Sequence, residues 1–317
     1  MQQGQIVSYF LDRPEIIKVS LTNICNYRCV MCYNPSLRQM RGFIKEDLLW
    51  RIMEECVEAG IGKISLGATG EPLLHPKFAD FLVRAKQQGL WVSTTTNASR
   101  LTPEITTMLF EHGINRVNLS IYSASPDEHR RYTGTDTFDL VVENIRGFLR
   151  HWRERGRKIE VNMWFLPISG VNTLESHLAF WKPLADEVGL DITIHPQLNW
   201  GGLVDYFRLR RFLISHKNGR LTLRWWRRRP CPDICYYLQV LHTGEILPCC
   251  QIPEPDPATA QMVFGYMPND HLMDIWRSAR YQKLKQAHAK KRIRDYPVCV
   301  ACMESRQWHQ IAIPRNK

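Results

Sequence analysis

Residues 16–32 read IIKVSLTNICNYRCVMC. Ile16–Leu21 is a short, mostly apolar run, which suits a strand buried in a parallel sheet. Directly after it Cys25, Cys29 and Cys32 stand in a C-x3-C-x2-C pattern. Working outward, further candidate strands follow at Lys63–Leu66, Trp91–Thr95, Arg116–Ile121, Lys158–Phe165 and Asp191–His195. Helical patterns separate them. In 45–59, Leu49, Ile52, Met53 and Cys56 recur at helical spacing and Gly60 follows as a stop; Cys56 reads as core. Thr102-Pro103 opens a helix at 103–112, closed by Gly113, and 138–152 carries one apolar stripe. Strand and helix alternate from about 16 to 196. The expectation is an α/β fold: a partial, open (β/α)6 TIM-like barrel, because a closed eight-unit barrel needs about 250 residues.

The 317 residues contain ten cysteines. No apolar run approaches the ~20 residues that span a bilayer, and no basic stretch with an apolar block opens the chain. A cytoplasmic protein without membrane contact is expected. In that compartment thiols stay reduced, so cysteines hold metal or do chemistry. Three thiolates with no nearby fourth Cys or His form an incomplete cage. A structural zinc would take four protein ligands, whereas a cubane iron–sulfur cluster on three leaves one iron open.

C-x3-C-x2-C after a first barrel strand resembles the radical S-adenosylmethionine (SAM) superfamily. The resemblance implies a [4Fe-4S] cluster on Cys25, Cys29 and Cys32 whose open iron binds SAM. The second strand runs into Gly67-Ala68-Thr69-Gly70-Glu71-Pro72, which is similar to the family's Gly-Gly-Glu segment. Thr69, Gly70 and Glu71 are then expected to hold the SAM ammonium group. Thr94-Thr95-Thr96-Asn97-Ala98 resembles the Thr-Asn-Gly turn, which places Asn97 at SAM. The same resemblance puts Ser120 and Asn162 near the ribose or carboxylate and Met31 near adenine. Tyr122 stands where relatives carry Asp.

A second set follows. Cys231-x17-Cys249 spans a hairpin (Tyr237–His242, then Glu245–Pro248), and Cys299-x2-Cys302 comes after a helix at about 271–288. By spacing alone these four could also form a zinc ribbon. The stretch Cys231-x12-Gly244-x4-Cys249, with Leu272–Trp276, resembles the SPASM and twitch auxiliary-cluster domains. That implies a second, auxiliary [4Fe-4S] cluster held by Cys231, Cys249, Cys299 and Cys302, a small α+β twitch domain, and an electron-carrying role. Cys235 and Cys250 are left over, as ligands, hydrogen-atom donors to a substrate radical, or core. The expected organisation is a barrel at 1–196, a basic aromatic linker at 197–230 and an auxiliary-cluster domain at 231–317.

The net charge of +11 is concentrated in residues 206–229, which hold nine Lys or Arg and no Asp or Glu. A single basic segment on a near-neutral chain speaks less for nucleic acid than a uniformly basic surface would. Arg208 and Arg210 are candidates for an anionic substrate group; the alternative is a solvated face or a docking surface for an acidic flavodoxin or ferredoxin acting as electron donor. The reading that follows is hydrogen abstraction from a small polar, carbohydrate-derived or anionic substrate, leading to dehydrogenation or epimerisation. Competing readings are a peptide-modifying radical SAM enzyme, a SAM-dependent transferase on the same scaffold, and a non-enzymatic zinc protein binding RNA.

Overall fold

The computed structural model describes residues 11–36, 40–166, 168, 171–194, 216–217, 220–221, 231–252, 254, 259–302 and 311–313. Six parallel strands lie in chain order: β1 (Ile16–Val19), β2 (Lys63–Leu66), β3 (Trp91–Thr96), β4 (Arg116–Ser120), β5 (Glu160–Phe165) and β6 (Ile192–Ile194). A short pair, β7 (His216–Lys217) and β8 (Arg220–Leu221), stands apart from them. Then come β9 (Tyr237–Val240), β10 (Glu245–Leu247), β11 (Gly265–Tyr266) and β12 (Ile311–Ile313). The crossovers are helical: α1 (Glu46–Glu58), α2 (Phe78–Gln87), α3 (Pro103–Glu111), α4 (Pro126–Thr133), α5 (Phe138–Glu154) and α6 (Leu174–Val188). The C-terminal region adds α7 (Asp233–Tyr236), α8 (Leu272–Arg277), α9 (Ala279–Ala289) and α10 (Pro297–Ala301). The α/β partial barrel is therefore present, with a small antiparallel and helical region behind it.

Local chemistry sets these boundaries. Thr102 Oγ1 accepts from the Ile105 N–H and Pro103 occupies the first turn of α3. Ser125 and Thr173 cap α4 and α6 in the same way, and each of these helices ends on a left-handed glycine, Gly134 and Gly189. The single helix expected near 271–288 is two. Ser278 interrupts it, and its Oγ accepts from the Tyr281 N–H to start α9. A side-chain cap competes with continuing the ladder, and here the cap wins.

Register divides the sheet into two faces. Ile17, Ile64 and Val92 are aligned, as are Thr94 with Val117 and Val161; the apolar members pack in the core with the helices, and Thr94 is fully buried on the same face. The opposite, inner face carries Lys18, Ser65 and Ser93 in one row and Thr95, Asn118 and Asn162 in the next. Cys56 is fully buried in the outer core.

The C-terminal hairpin is not detached from the barrel. β9 pairs in parallel with β1 (Lys18 opposite Gln239), β10 and β11 follow antiparallel, and β12 adds to the far edge on β6. A second tie comes from α1. Glu55 Oε2 accepts from the Leu272 N–H at 2.8 Å, and its Oε1 lies 2.9 Å from Nδ1 of His271, so a barrel side chain caps α8. Among the described residues no helix is long and apolar enough to cross a membrane.

Candidate functional site

The loop that leaves β1 is clamped at both ends. The N–H groups of Arg28 and Val30 donate to the carbonyls of Thr133 and Tyr132 at the end of α4. Arg41 donates to the carbonyl of Asn23 at 2.6 Å and to Oδ1 of Asn34 at 2.7 Å, which closes the loop on the other side. Within it Cys25, Cys29 and Cys32 are half-buried and close enough to perturb one another. Burial pushes the Cys25 thiol up to about 12, and the charges of Glu71 and Cys32 add to that. Burial and the neighbouring Cys32 and Cys25 push Cys29 well above its ordinary value. Cys32 rises to about 11, again by burial, against the Asn34 N–H and the Arg41 charge.

Three crowded thiols in a dry spot cannot all ionise by themselves. A cationic inorganic core supplies the missing charge, so the donor set fits an iron–sulfur cluster on these three sulfurs. Among the described residues no three His, Cys, Asp or Glu side chains converge tightly enough to hold one metal ion. Met31 is buried with Tyr132, Leu166 and Ile168 against Cys29, Cys32 and Tyr122, and this apolar patch keeps water from one side of the set.

The turn after β2 packs back to back with the segment entering the cysteine loop. Thr69 Oγ1 donates to the Thr22 carbonyl at 3.2 Å, and the Glu71 N–H donates to the Ile24 carbonyl at 2.9 Å. Gly70, at φ +67°, permits this: a Cβ there would lie 2.5 Å from the Ile24 oxygen. Glu71 is 1% exposed, and its carboxylate accepts from the Thr96 hydroxyl at 2.7 Å, the Asn97 N–H at 2.8 Å and the Leu73 N–H at 3.2 Å. One carboxylate thus joins the ends of β2 and β3. Asn97 donates from its amide to Asn26 and lies 3.9 Å from Cys25 Sγ. Ser120 bonds the Tyr122 hydroxyl, and Asn162 donates to Asn118, which donates to Thr95, in a ladder across the inner face.

Burial raises Glu71 from 4.5 to about 7. In the unfolded chain it ionises first, so cofactor-free protein loses stability as pH rises from about 4.5 to 7. The size is of order 3 kcal/mol. Urea unfolding at pH 5 and pH 8 is expected to show this loss as a difference between the parent and Glu71→Gln, because the opposing titration of buried His129 and His177 is common to both proteins. Equal pH dependence in both would remove Glu71 as the source.

The members of the second set are also close enough to perturb one another. Cys231, Cys249, Cys299 and Cys302 are each 8% exposed. Burial first, then the charges of Asp233 and the other three sulfurs, pushes Cys231 far up; Cys249 responds alike, with Cys250 as its nearest charge. Four mutually crowded thiols fit a second cluster with no position left open. Cys235 is fully buried in the core beside Lys285. Cys250 is half-buried, and its Sγ lies 3.1 Å from the Tyr237 hydroxyl, which donates to Asp233 at 2.7 Å.

Arg208 and Arg210, and most of the basic segment, lie outside the described residues. Arg41, Tyr237, Gln239 and Lys285 were not singled out by the sequence reading. No spacing marks them; only the fold brings each to a cysteine set or to the inner face.

Comparison with known proteins agrees with this geometry. The chain matches the family described as "Radical SAM superfamily" over residues 19–180 and the SPASM family, an "Iron-sulfur cluster-binding domain", over 231–303. It is 32% identical over 136 residues to a probable GTP 3',8-cyclase of Thermococcus kodakarensis, covering 43% of this chain and 44% of that protein. It is 29% identical over 192 residues to a GTP 3',8-cyclase of Vibrio vulnificus, covering 57% and 56%. The chain thus spans about half the length of the curated relatives it matches. The structure of BtrN in complex with AdoMet and 2-DOIA superposes with TM-score 0.61 at 18% identity, over 94% of this chain and 98% of that one. Streptococcus suis SuiB bound to its precursor peptide SuiA gives TM-score 0.64 at 14% identity, over 94% and 71%. At these identities the likeness is one of fold.

Proposed function

Because the chain belongs to the radical SAM superfamily and carries a SPASM iron–sulfur cluster-binding domain, we propose that it abstracts hydrogen from a small polar, carbohydrate-derived or anionic substrate and converts it by dehydrogenation or epimerisation. Cys25, Cys29 and Cys32 would hold a [4Fe-4S] cluster that binds SAM, and Cys231, Cys249, Cys299 and Cys302 an auxiliary [4Fe-4S] cluster. When bound, the first group with SAM supplies a 5'-deoxyadenosyl radical, and the second supplies an electron acceptor. The observation that carries the reading is the burial of all four auxiliary cysteines at one place. Full protein ligation leaves no coordination site for substrate and makes an electron carrier.

The protein's own residues then have distinct tasks. Glu71 and the Thr69–Gly70 turn would present a carboxylate and backbone carbonyls to the SAM ammonium. Met31 and the stacked Tyr122–Tyr132 pair, 4.9 Å apart, would exclude water from the adenine side. In epimerisation Cys250 would return a hydrogen atom to the opposite face of the substrate radical, and the resulting thiyl radical would be reduced back to the thiol by one electron from the flavodoxin or ferredoxin and a solvent proton. A flavodoxin or ferredoxin is the proposed electron donor.

Anaerobic turnover in deuterated buffer tests both branches. Epimerisation is expected to place one solvent deuterium in the product. Cys250→Ala should then cut product at least tenfold while 5'-deoxyadenosine continues to form. Dehydrogenation gives a product two hydrogens lighter and no such deuterium. A colourless anaerobic preparation holding zinc but no iron would overturn both.

A second reading follows from the curated relatives, whose names specify GTP 3',8-cyclisation. Their match covers about half of each chain. A nucleotide triphosphate is an anionic substrate, and GTP belongs in the same turnover screen.

A further inference from the structure

Gln239 and Ser20 are fully buried, yet Oε1 and Nε2 of Gln239 and Oγ of Ser20 have no hydrogen-bond partner among the described residues. Gln239 stands opposite Lys18 in the β1–β9 pairing. Its neighbours Leu238 and Val240 lie in the outer core, so alternation turns Gln239 to the inner face. Ser20 lies one residue beyond β1 and two beyond Lys18, and its N–H donates to Val240, which continues the same row. Lys18 is half-buried. Its Nζ sits 3.6 Å from the ring centroid of Tyr237, and no carboxylate pairs with it among the described residues.

Two other unpartnered buried groups lie against aromatic rings. His177 stacks on Phe165 at 3.7 Å in the outer core, and Lys285 rests over Trp276 at 3.2 Å. The Gln239 amide has no hydrogen-bond partner at either atom among the described residues. Leaving both its donor and its acceptor dry is costly, and a leucine of similar size would avoid that cost. The position in the fold adds meaning. β1 leads into the Cys25–Cys32 loop and the β9–β10 hairpin leads to Cys249, so the polar row lies on the strands that connect the two cysteine sets.

We propose that Gln239, Ser20 and Lys18 form a substrate-recognition subsite for a polyhydroxylated ligand. The amide offers a donor and an acceptor to adjacent hydroxyls, Ser20 a third hydrogen bond, and Lys18 a cation for an oxygen-rich or anionic substituent. An apolar ligand would leave all three unsatisfied and be rejected. This deepens the small-polar-substrate reading and rests on it.

The test uses the reconstituted chain without substrate. Gln239→Leu and Ser20→Ala are each expected to raise the thermal midpoint by about 2–5 °C, because an unpaired polar group leaves the core. In the parent, myo-inositol or glucosamine 6-phosphate is expected to raise the midpoint, and Gln239→Leu to abolish that rise. A lower midpoint in Gln239→Leu would overturn the subsite, because the amide would then have a partner within the fold. So would a ligand response that survives the substitution, or a parent that responds to neither compound. SAM cleavage by the parent is followed separately. Its absence would remove the radical reading while the midpoints still report on the subsite.

Discussion

Alanine at Cys25, Cys29 and Cys32 together is expected to lower the iron content of anaerobically reconstituted protein from about eight to about four per chain, and to end SAM cleavage. The reason is local. These three sulfurs come from one loop, held in place by Arg28 and Val30 against α4 and by Arg41 against Asn23 and Asn34. The four auxiliary sulfurs come from the segment just before α7 (Cys231), the turn after β10 (Cys249), and α10 with its C-terminal flank (Cys299 and Cys302), and they are reached by none of those bonds. Losing the first cluster should therefore leave the second intact. Iron and sulfide analysis, with 5'-deoxyadenosine release under dithionite, checks both halves. About four irons in the parent and none in the variant would eliminate the auxiliary cluster, and with it the argument for an internal electron acceptor. Colour and iron retained in full would show that the loop cysteines are not ligands.

Gly70→Ala is expected to weaken SAM binding more than tenfold and to destabilise the fold by about 3–5 kcal/mol. The added Cβ would stand 2.5 Å from the Ile24 oxygen and 2.6 Å from the Thr22 oxygen, at a φ of +67° that L-residues rarely adopt. Backbone atoms cannot step aside as a flexible side chain can. The turn would have to lift away, breaking the Thr69–Thr22 and Glu71–Ile24 hydrogen bonds and dragging Glu71 from its place beside Asn97. Gly62→Ala is the control, because nothing lies within 4 Å of a Cβ there. Equilibrium dialysis with SAM and urea unfolding read the two effects. A Gly70→Ala protein that binds SAM within twofold of the parent would show that the turn does not touch the cofactor.

The auxiliary set tests how far spacing reaches. Cys231, Cys249, Cys299 and Cys302 are far apart in the chain, and zinc remained an alternative for them by spacing. Their shared burial against Tyr237, Tyr281 and Asp233 is a product of β9 pairing with β1 and of Glu55 capping α8. Neither contact has a signal in the local sequence, since each joins residues more than 200 positions apart. The break at Ser278 was missed for the opposite reason: it is local, but a capping serine looks the same inside a helix as between two.

By itself the sequence determined the strand–helix alternation of 16–194, the first cysteine triad and the glycine turn after β2. Each is encoded in neighbouring residues, where periodicity, thiol spacing and a required positive φ act over a few bonds. Only the tertiary structure decided that Glu71 joins β2 to β3, that Arg41 closes the cysteine loop, and that Gln239, Ser20 and Lys18 share one face. Those depend on strand register, which is set by the packing of the whole outer core.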